Sequence, residues 1–363
     1  MSRPDIREDD IEAVVSVLRS GTLSLGPWME RFEKAFAAYI GAADAVAVSS
    51  GTAGLHMAVR AAGLGPGDEV LTSAFSFVAS ANCLLYEGAR PVFVDVEERS
   101  MTMDPSLART AANEKTRAIL PVHVFGQPCD MDPLLSLAAD RDLVVIEDAC
   151  EAIGAEYRGR KVGTFGSCGV FSFYPNKQMT TGEGAVITTN DPGLGQLFRS
   201  LRNQGRDTMG NWLSHERLGY NYRMSELSAA LGKVQIGRIE EMLTLRSTVA
   251  ARYTERVNGI AGANFLTAAP WTTRLSWFAA VVRLDDGIDR DAVIDRLAAQ
   301  GVSARAYFAP LHLQPLYRRL YGTREGDLPV TERLGRSTIA LPFHNWMSET
   351  EVEIACAALQ RAL

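Results

Sequence analysis

Hydrophobic residues recur along this chain with two different spacings. Residues 8 to 40 hold two stretches with apolar residues at helical spacing, IEAVVSVLRS and WMERFEKAFAAYI, each followed by a glycine. From Asp44 onward, short β-branched runs alternate with longer amphipathic stretches, and the runs read AVAVSS, EVLTS, PVFVDV, RAILPV and LVVIEDA. Strands that alternate with helices form βαβ units. The pattern therefore predicts an α/β fold with a mainly parallel sheet sandwiched by helices.

The same pattern predicts further elements and a second region. Helices are expected from Phe75, Pro105 and Met131, and the sheet should continue through GVFSFY and AVITT. A long helical pattern begins at Ser225 and leads to strand WFAAVVRL, helix DAVIDRLAAQ, strand VSARAYF and helices near 331 and 350. We therefore predict an N-terminal helical arm (1–40), a large α/β domain (41–250) and a smaller C-terminal α+β domain (251–363).

Composition and charge exclude several classes of function. The chain has 363 residues, of which 47% are hydrophobic and 22% charged, with a formal net charge of −6. That acidic balance argues against a general nucleic-acid or anionic-membrane binder, and no apolar run approaches the length that spans a bilayer. Five cysteines lack CxxC spacing and the histidines lack metal-ligand spacing, so we expect reduced core thiols, a cytoplasmic protein and no metal site.

Two ionisable residues follow strand-like runs. Lys177 stands in a polar stretch between GVFSFY and AVITT, and Asp148 ends the buried run LVVIEDA. Ligands of open α/β sheets bind outside the carboxyl ends of strands, so both residues are candidates for a site. Taken singly, Lys177 has the alternative of a solvated surface charge, and Asp148 that of a cap or an arginine partner.

A third candidate feature is a helix start that could bind phosphate. Directly after AVAVSS, the sequence Gly51-Thr52-Ala53-Gly54 opens the helical pattern LHMAVRAAG. Backbone N–H groups at a helix start bind anions such as phosphate, and Ser172 could add a hydroxyl to the same phosphate. An amine that forms a Schiff base, a carboxylate that keeps a ring nitrogen protonated and a phosphate site together describe pyridoxal phosphate binding.

Longer motifs extend the argument over nearly the whole chain. The sequence resembles the DegT/StrS family, the pyridoxal-phosphate-dependent sugar-nucleotide aminotransferases of aminotransferase fold type I. The segments that carry the resemblance are SSGTAGLHMA, SFVASANCLLYEGARPVFVDV, VHVFGQPCDMD, IEDACEAIGA, FSFYPNKQMTTGEGA and GYNYRMSELSAALGKVQ. The resemblance implies the type I fold, with a large cofactor-binding domain and a smaller C-terminal one.

The resemblance also implies roles for individual residues. Lys177 would be the Schiff-base lysine and Asp148 the partner of the pyridine nitrogen. The phosphate ligands would be Thr52, Ala53 and Ser172, for which a helix cap or a strand hydroxyl bonded to backbone is the alternative.

Other implied positions surround the cofactor. Phe77 matches the aromatic residue that stacks on the cofactor ring, although a core position is the alternative. Glu151 stands where the family usually carries Gln or His near the phenolic oxygen of the cofactor, so a neutral Glu or a water-mediated contact is needed there. Asn221 matches the residue that reaches the phosphate of a neighbouring subunit, which implies a homodimer with shared active sites. Arg223 is a candidate for the phosphate or the nucleotide.

Substrate contacts and reaction follow from the same resemblance. Tyr307 and His312 lie in a segment that resembles one approaching the substrate, and Cys150 is expected in the core. The implied reaction moves an amino group, with L-glutamate as the expected donor, to the keto group of a nucleotide-linked sugar. Two alternatives stay open: an aminotransferase for free keto-cyclitols or related precursors, and a non-catalytic pyridoxal-phosphate-binding regulatory protein.

Overall fold

The predicted strands and helices are arranged in three sheets with flanking helices, within residues 2–206 and 214–363, which are the residues that this computed structural model describes. In chain order the helices are α1 (Glu8–Ser20), α2 (Pro27–Ile40), α3 (Gly51–Ala61), α4 (Ala79–Tyr86), α5 (Pro105–Ala111), α6 (Met131–Arg141), α7 (Pro192–Arg202), α8 (Glu226–Gly237), α9 (Ile239–Val257), α10 (Arg290–Ala299), α11 (Pro315–Tyr321), α12 (Pro329–Ser337) and α13 (Glu349–Ala362). The strands are β1 (Asp44–Val48), β2 (Glu69–Ser73), β3 (Arg90–Val94), β4 (Thr116–Leu120), β5 (Val144–Asp148), β6 (Glu156–Tyr157), β7 (Arg160–Lys161), β8 (Cys168–Ser172), β9 (Ala185–Thr189), β10 (Ala263–Phe265), β11 (Thr272–Arg274), β12 (Ala280–Leu284), β13 (Arg305–Ala306) and β14 (Thr338–Leu341).

The large sheet has the strand order β1-β9-β8-β5-β4-β2-β3. Pairing is parallel from β8 through β5, β4 and β2 to β3, whereas β9 runs antiparallel to both of its neighbours. The predicted mainly parallel sheet is therefore confirmed. Because β9 reverses direction between β1 and β8, strands β1, β8 and β5 all point the same way. Their carboxyl ends meet at one edge of the sheet, which is where ligands bind in such folds.

A smaller antiparallel sheet, β10-β12-β14-β13, forms the second region. Helix α9 connects it to the large sheet. The first half of α9 packs Met242 and Leu243 into the cluster that contains β9, and the second half packs Tyr253 and Val257 against β10 and β12. The remaining sheet, β11-β6-β7, is short. The predicted division at 250/251 falls within α9, and these domain limits stay a prediction.

Two predicted elements are shorter than the pattern indicated. The helix expected from Phe75 begins only at Ala79, because a turn follows β2 in which Ser73 Oγ accepts a hydrogen bond from Phe75 N. The strand expected over VSARAYF is limited to Arg305–Ala306. There the aromatic rings that follow β13 stack on one another and on Phe125 instead of continuing the sheet.

The long helix expected from Ser225 is interrupted. Ser225 caps α8 by accepting a hydrogen bond from Ser228 N, and α8 ends at Gly237. Arg238 then leaves helical geometry before α9 begins. Its guanidinium turns back to Asp5 and Asp10 of the N-terminal arm. Tertiary ion pairs thus accompany a break that the hydrophobic spacing did not predict.

Candidate active site

A cavity of about 450 Å³ opens at the carboxyl edge of the large sheet. Strand β1 leads into it through Ser50 and α3, β5 through Asp148, and β8 through Ser172 and the loop that follows. The predicted site residues that line the cavity are Thr52, Phe77, Asp148, Glu151, Ser172, Lys177 and Tyr307. Residues more than 250 positions apart in the sequence therefore meet at the predicted edge.

Lys177 is held in the loop between β8 and β9. Its backbone N–H donates to Tyr174 O at 2.9 Å, and two hydrogen bonds between Phe173 and residues of the returning chain close the loop. Its Nζ lies 3.5 Å from Glu151 Oε1 and 4.4 Å from the centre of the Phe278 ring. Only 13% of the lysine side chain is exposed. A turn on a closed loop thus presents a mostly buried amine to the cavity.

Asp148 ends β5 and is 5% exposed. Its Oδ2 accepts a hydrogen bond from Ser80 Oγ at 2.6 Å, and its Oδ1 accepts one from Cys150 N at 3.1 Å. A carboxylate offers about four lone-pair directions, so two bonds orient the group and leave capacity to accept another donor. The arrangement suits a buried cationic N–H ligand.

Glu151 faces Lys177 from the turn after β5. Its Oε2 accepts a hydrogen bond from Phe125 N at 2.8 Å. Burial raises the pKa of Glu151, and the neighbouring Asp148 acts in the same direction, whereas Lys177 and the Phe125 N–H lower it; the pKa stays above its ordinary value. Glu151 is therefore a carboxyl group that protonates more readily than an exposed one.

The first turn of α3 contains two backbone N–H groups that could donate to an anion. Ser50 caps the helix by accepting a hydrogen bond from Ala53 N at 3.1 Å, so the cap is Ser50 and not Thr52. Within the described chain, the N–H groups of Gly51 and Thr52 have no acceptor. A Cβ on Gly51 would lie 2.9 Å from Ser172 Cβ, so glycine permits this close approach. Two free N–H groups at a helix start are a binding site for an anion.

Ser172 and Ala53 contribute less directly. The Ser172 hydroxyl donates to Cys150 O at 3.2 Å, which is the backbone bond named above as the alternative to a phosphate contact. To donate to an anion, this hydroxyl must leave that carbonyl. Ala53 is buried with its N–H bonded to Ser50, so it shapes the turn.

Two of the aromatic residues that line the cavity, Phe77 and Tyr307, were predicted as site residues. Phe77 is 61% exposed, so the alternative of a core position is wrong. Tyr307 stacks near Phe125 and Phe278, with ring centres 6.2 and 6.4 Å away. Burial and the charge of Glu151 raise the pKa of Tyr307, so its hydroxyl is a donor at neutral pH.

Asn221 and Arg223 lie beside the cavity without lining it. Their segment is tied to the end of β1 by the hydrogen bond from Ser49 N to Tyr222 O at 2.8 Å. Arg223 donates to Asn203 Oδ1 at 2.8 Å, and Asn221 is exposed. The geometry leaves Asn221 accessible to another molecule.

His312 requires a correction. It was expected near the substrate, yet its side chain is fully buried away from the residues that line the cavity. Its Nε2 lies 3.0 Å from Glu332 Oε1, and Glu332 also accepts hydrogen bonds from Gly326 N and Leu328 N. The pair fixes the loop before α12. His312 therefore has a structural environment.

The sequence pattern did not predict three residues that lie in or next to the cavity. Cys150 was expected in the core, but it is half-buried and lines the cavity. Ser80 binds Asp148 across 68 positions, and no local pattern could have revealed the pair. The Nε2 of Gln178 donates to Glu151 O and to both oxygens of Ser276, which ties the lysine loop to the segment before Phe278. The only sign of the role of Gln178 in the sequence was its position next to Lys177.

Across residues 2–206 and 214–363, no group of three or more histidine, cysteine, aspartate or glutamate side chains is arranged to hold a metal ion. In the same residues, no helix is long and apolar enough to cross a membrane.

Comparison with known proteins places this geometry in a family. The sequence profile of the DegT/DnrJ/EryC1/StrS aminotransferase family matches residues 4–360. A GDP-perosamine synthase of Caulobacter vibrioides is 41% identical over 94% of this chain and 91% of its own. The UDP-4-amino-4-deoxy-L-arabinose–oxoglutarate aminotransferase of Shewanella sediminis is 35% identical over 99% and 96%.

A solved structure agrees. DesV of S. venezuelae, crystallised with a ketimine intermediate, superposes with a TM-score of 0.91 at 37% identity and covers 97% of this chain and 93% of its own. The fold is that of the pyridoxal-phosphate-type aminotransferases, as predicted. The chain therefore belongs to the DegT/DnrJ/EryC1/StrS aminotransferase family, and it is an aminotransferase of enzyme class 2.6.1 that resembles sugar aminotransferases.

Proposed function

We propose that this enzyme uses pyridoxal phosphate to move an amino group from L-glutamate to the keto group of a nucleotide-linked sugar, giving a nucleotide-linked amino sugar. The observation that carries the proposal is the mostly buried Lys177 amine in a cavity that also holds Asp148 and the free N–H groups of α3. Such a cavity matches the three chemical features of the cofactor: an aldehyde, a basic ring nitrogen and a phosphate.

The relatives support the substrate class. The names of both curated relatives contain a nucleotide-linked sugar, with GDP in one and UDP in the other. The name of the second also contains oxoglutarate, which is the keto acid left when glutamate gives up its amino group. We therefore propose L-glutamate as donor and a GDP- or UDP-linked keto-sugar as acceptor.

The residues present fit the cofactor. Within the described chain, the N–H groups of Gly51 and Thr52 have no acceptor and could donate to a phosphate. The carboxylate of Asp148 has unused acceptor capacity for a protonated ring nitrogen. Asn176, which lines the cavity, has a buried Oδ1 with no hydrogen-bond partner. An unpartnered buried oxygen is costly unless a ligand or water satisfies it.

Lys177 has two tasks in the proposed reaction. When bound, the cofactor supplies a protonated ring that accepts the electron pair left after proton removal from the donor. The Nζ of Lys177 would hold the cofactor, and as a free amine it would take the α-proton of the donor. The same atom later delivers a proton, so that one residue acts as base and acid.

The other residues orient and shield. Ser80 and Cys150 N hold the Asp148 carboxylate in place, where it would pair with the ring nitrogen of the cofactor. Phe77 offers an exposed ring for stacking, and Tyr307 with Phe278 covers the lysine side of the cavity. Aromatic walls limit access of water, which strengthens the electrostatic contacts inside.

We also propose a cytoplasmic homodimer with shared sites. Asn221 is exposed, and its neighbour Tyr222 accepts a hydrogen bond from Ser49 N at the end of β1, which supports a contact with the cofactor phosphate of a second copy. Mixing inactive Lys177→Ala subunits with inactive Asn221→Ala subunits should restore part of the activity, because a mixed dimer keeps one site with both residues. If mixing restores nothing although mixed dimers form, the shared site is wrong.

The function is tested by direct product analysis. The protein is incubated with pyridoxal phosphate, ¹⁵N-labelled L-glutamate and a GDP- or UDP-linked 4-keto-sugar, and the nucleotide-sugar is analysed by mass spectrometry. We expect ¹⁵N in the sugar with the native protein and none with Lys177→Ala. Transfer of ¹⁵N only to a free keto-cyclitol would favour the alternative acceptor. Absence of transfer to any acceptor, with the cofactor bound, would favour a regulatory protein.

A further inference from the structure

The carboxyl group of Glu151 has no task in the reaction as described above. Its Oε1 lies 3.5 Å from Lys177 Nζ, and its Oε2 accepts the hydrogen bond from Phe125 N at 2.8 Å. The exposed fractions of the two side chains are 13% for Lys177 and 10% for Glu151. An acid and the amine on which the proposed chemistry depends are thus held face to face, and both side chains are mostly buried.

The pair has few other ionisable neighbours. The titratable groups that face it are Asp148 at the end of β5, Cys150 in the next turn, Glu183 in the loop before β9 and Tyr307 after β13. Among the described residues, Lys177 is the only cation that lines the cavity, and Glu151 is the only carboxylate within 4.0 Å of its Nζ. If the ammonium gives up a proton inside the cavity, Glu151 is the nearest acceptor.

Three contacts fix this geometry. Gln178, next to Lys177, donates from Nε2 to Glu151 O at 2.6 Å. The same Nε2 donates to Ser276 Oγ at 2.9 Å, and Ser276 Oγ donates to Ile153 O at 2.6 Å. The backbone of Glu151 and that of the lysine loop are therefore held together, and the distance between the two side chains does not depend on exposed, flexible residues.

We propose that Glu151 is a proton-holding residue that exchanges one proton with Lys177. In this step the proton leaves Nζ of the ammonium and binds Oε1 of the carboxylate, so that an ion pair becomes a carboxylic acid and a neutral amine. No other reactant is needed, and the reverse transfer restores the ion pair. The nitrogen lone pair so freed is the one that bonds to the cofactor or takes the α-proton; the inference therefore rests on the proposed function.

Two further features agree with this exchange. Burial raises the pKa of Glu151, which favours the neutral acid more than in an exposed carboxyl group. The Phe278 ring, 4.4 Å from Nζ, favours the charged amine through its electron-rich face. The two protonation states of the pair are thus both stabilised by neighbouring groups, which is the condition for a shared proton.

The experiment measures acetylation of Lys177 by acetic anhydride in the full-length protein without cofactor. Acetic anhydride reacts with the neutral amine, and peptide mass spectrometry separates Lys177 from the exposed Lys115, which serves as internal reference. The rate is recorded against pH for the native protein, for Glu151→Gln and for Ser276→Ala. Gln keeps an oxygen for Phe125 N–H but cannot take a proton, whereas Ser276→Ala disturbs the same neighbourhood and keeps the carboxyl group.

The expected result is a change in the number of ionisations. The native protein and Ser276→Ala should show two ionisations in the Lys177 profile, and Glu151→Gln should show one, while Lys115 is unchanged in all three. Identical profiles for the native protein and Glu151→Gln would overturn the proposal. Thermal unfolding checks that the variants fold; if Glu151→Gln does not fold, Glu151→Ala replaces it and should likewise show one ionisation.

This result is independent of turnover. A profile that changes as expected in a protein that transfers no amino group to any acceptor would leave the proton exchange standing and reject the proposed function. If the protein transfers amino groups but the native protein and Glu151→Gln have identical profiles, the proposed function stands and the proton exchange is rejected.

Discussion

Glu147 and Asp148 are consecutive residues of β5, yet they lie in opposite environments. Glu147 is fully buried and does not line the cavity, whereas Asp148 lines it. Successive side chains of a strand point to opposite faces of the sheet, so a one-residue step separates the two carboxylates. Comparing their partners shows what distinguishes a structural carboxylate from one available to a ligand.

The acceptor capacity of Glu147 is used up. Its Oε1 accepts from Phe165 N at 2.6 Å and Gly166 N at 2.8 Å, and its Oε2 accepts from Gly163 N at 2.7 Å. His123 supplies a fourth donor: its Nδ1 accepts a bond from the Cys129 backbone N–H, so Nε2 carries the ring proton and donates to Glu147 Oε2 at 3.1 Å. Four donors on two oxygens leave nothing for a ligand.

Asp148 has half as many donors. Ser80 and Cys150 supply one each, and the remaining capacity lies in the cavity. Burial alone therefore does not mark a functional carboxylate, since both groups are buried. The number of donors already bound decides whether a carboxylate stabilises the fold or remains available to a ligand.

The largest effect is expected for Glu147→Gln. The amide NH₂ must face two N–H donors wherever it points, because both oxygens of Glu147 accept two bonds. Each buried donor left unpaired costs about 1–3 kcal/mol, so unfolding should become easier by roughly 2–6 kcal/mol. Denaturant titration measures this, and the protein that remains folded should still bind the cofactor. A stability change within about 0.5 kcal/mol, as at an ordinary surface site, would contradict this structural role.

The matched variant Asp148→Asn should behave in the opposite way. The Asn oxygen can still accept from Cys150 N, and the Ser80 hydroxyl can turn to accept from the new NH₂, so stability changes little. Loss of the negative charge opposite the ring nitrogen should lower kcat by roughly 10²–10³-fold, as for removal of one preorganised electrostatic group. Steady-state kinetics and thermal unfolding of both variants test the contrast. Equal losses of stability in Glu147→Gln and Asp148→Asn would contradict the difference in role between the two carboxylates.

A smaller effect is expected at the anion site. In Thr52→Val the free backbone N–H groups remain, but the hydroxyl is lost from the cavity. A hydrogen bond to a charged group contributes about 1.5–3 kcal/mol, so the affinity for pyridoxal phosphate should fall roughly 10- to 150-fold. Pyridoxal, which lacks the phosphate, is the control ligand and should bind both proteins alike. An equal loss for both ligands would place the hydroxyl elsewhere.

The smallest effect is expected for Phe77→Ala. Stacking of aromatic rings contributes about 0.5–1.5 kcal/mol beyond burial, so cofactor affinity should fall roughly 2- to 12-fold. Because Phe77 is exposed, stability should hardly change. Fluorescence titration with pyridoxal phosphate measures the affinity, and Phe77→Tyr, which keeps the ring, should bind like the native protein. A stability loss without loss of affinity would indicate a packing role.

The two carboxylates of β5 also show how much of the fold and site can be predicted from the sequence. The apolar run LVVIEDA predicted β5. Asp148 was predicted as a site residue because it ends this strand. Strand direction and the carboxyl edge then followed from the alternation of strands and helices. The motif around Lys177 predicted its loop, and the cavity contains both residues.

The partners of these residues could not be predicted in the same way. Ser80 is 68 positions from Asp148, and Ser276 is 98 positions from Gln178, so no local spacing relates them. Three of the four donors on Glu147 are backbone N–H groups, which carry no signature in the sequence. His312 was misassigned for the same reason, because its burial against Glu332 depends on the loop before α12. Local patterns predict elements and their ends, and long-range contacts decide what each side chain does.

Borohydride reduction tests the proposal that Lys177 holds the cofactor covalently. The protein with pyridoxal phosphate is reduced with borohydride, digested and analysed by mass spectrometry, beside Lys177→Ala. We expect the peptide that contains Lys177 to be heavier by the mass of the reduced cofactor. No peptide of the variant should carry this added mass. Cofactor attached to another lysine, or to none in the native protein, would contradict the account.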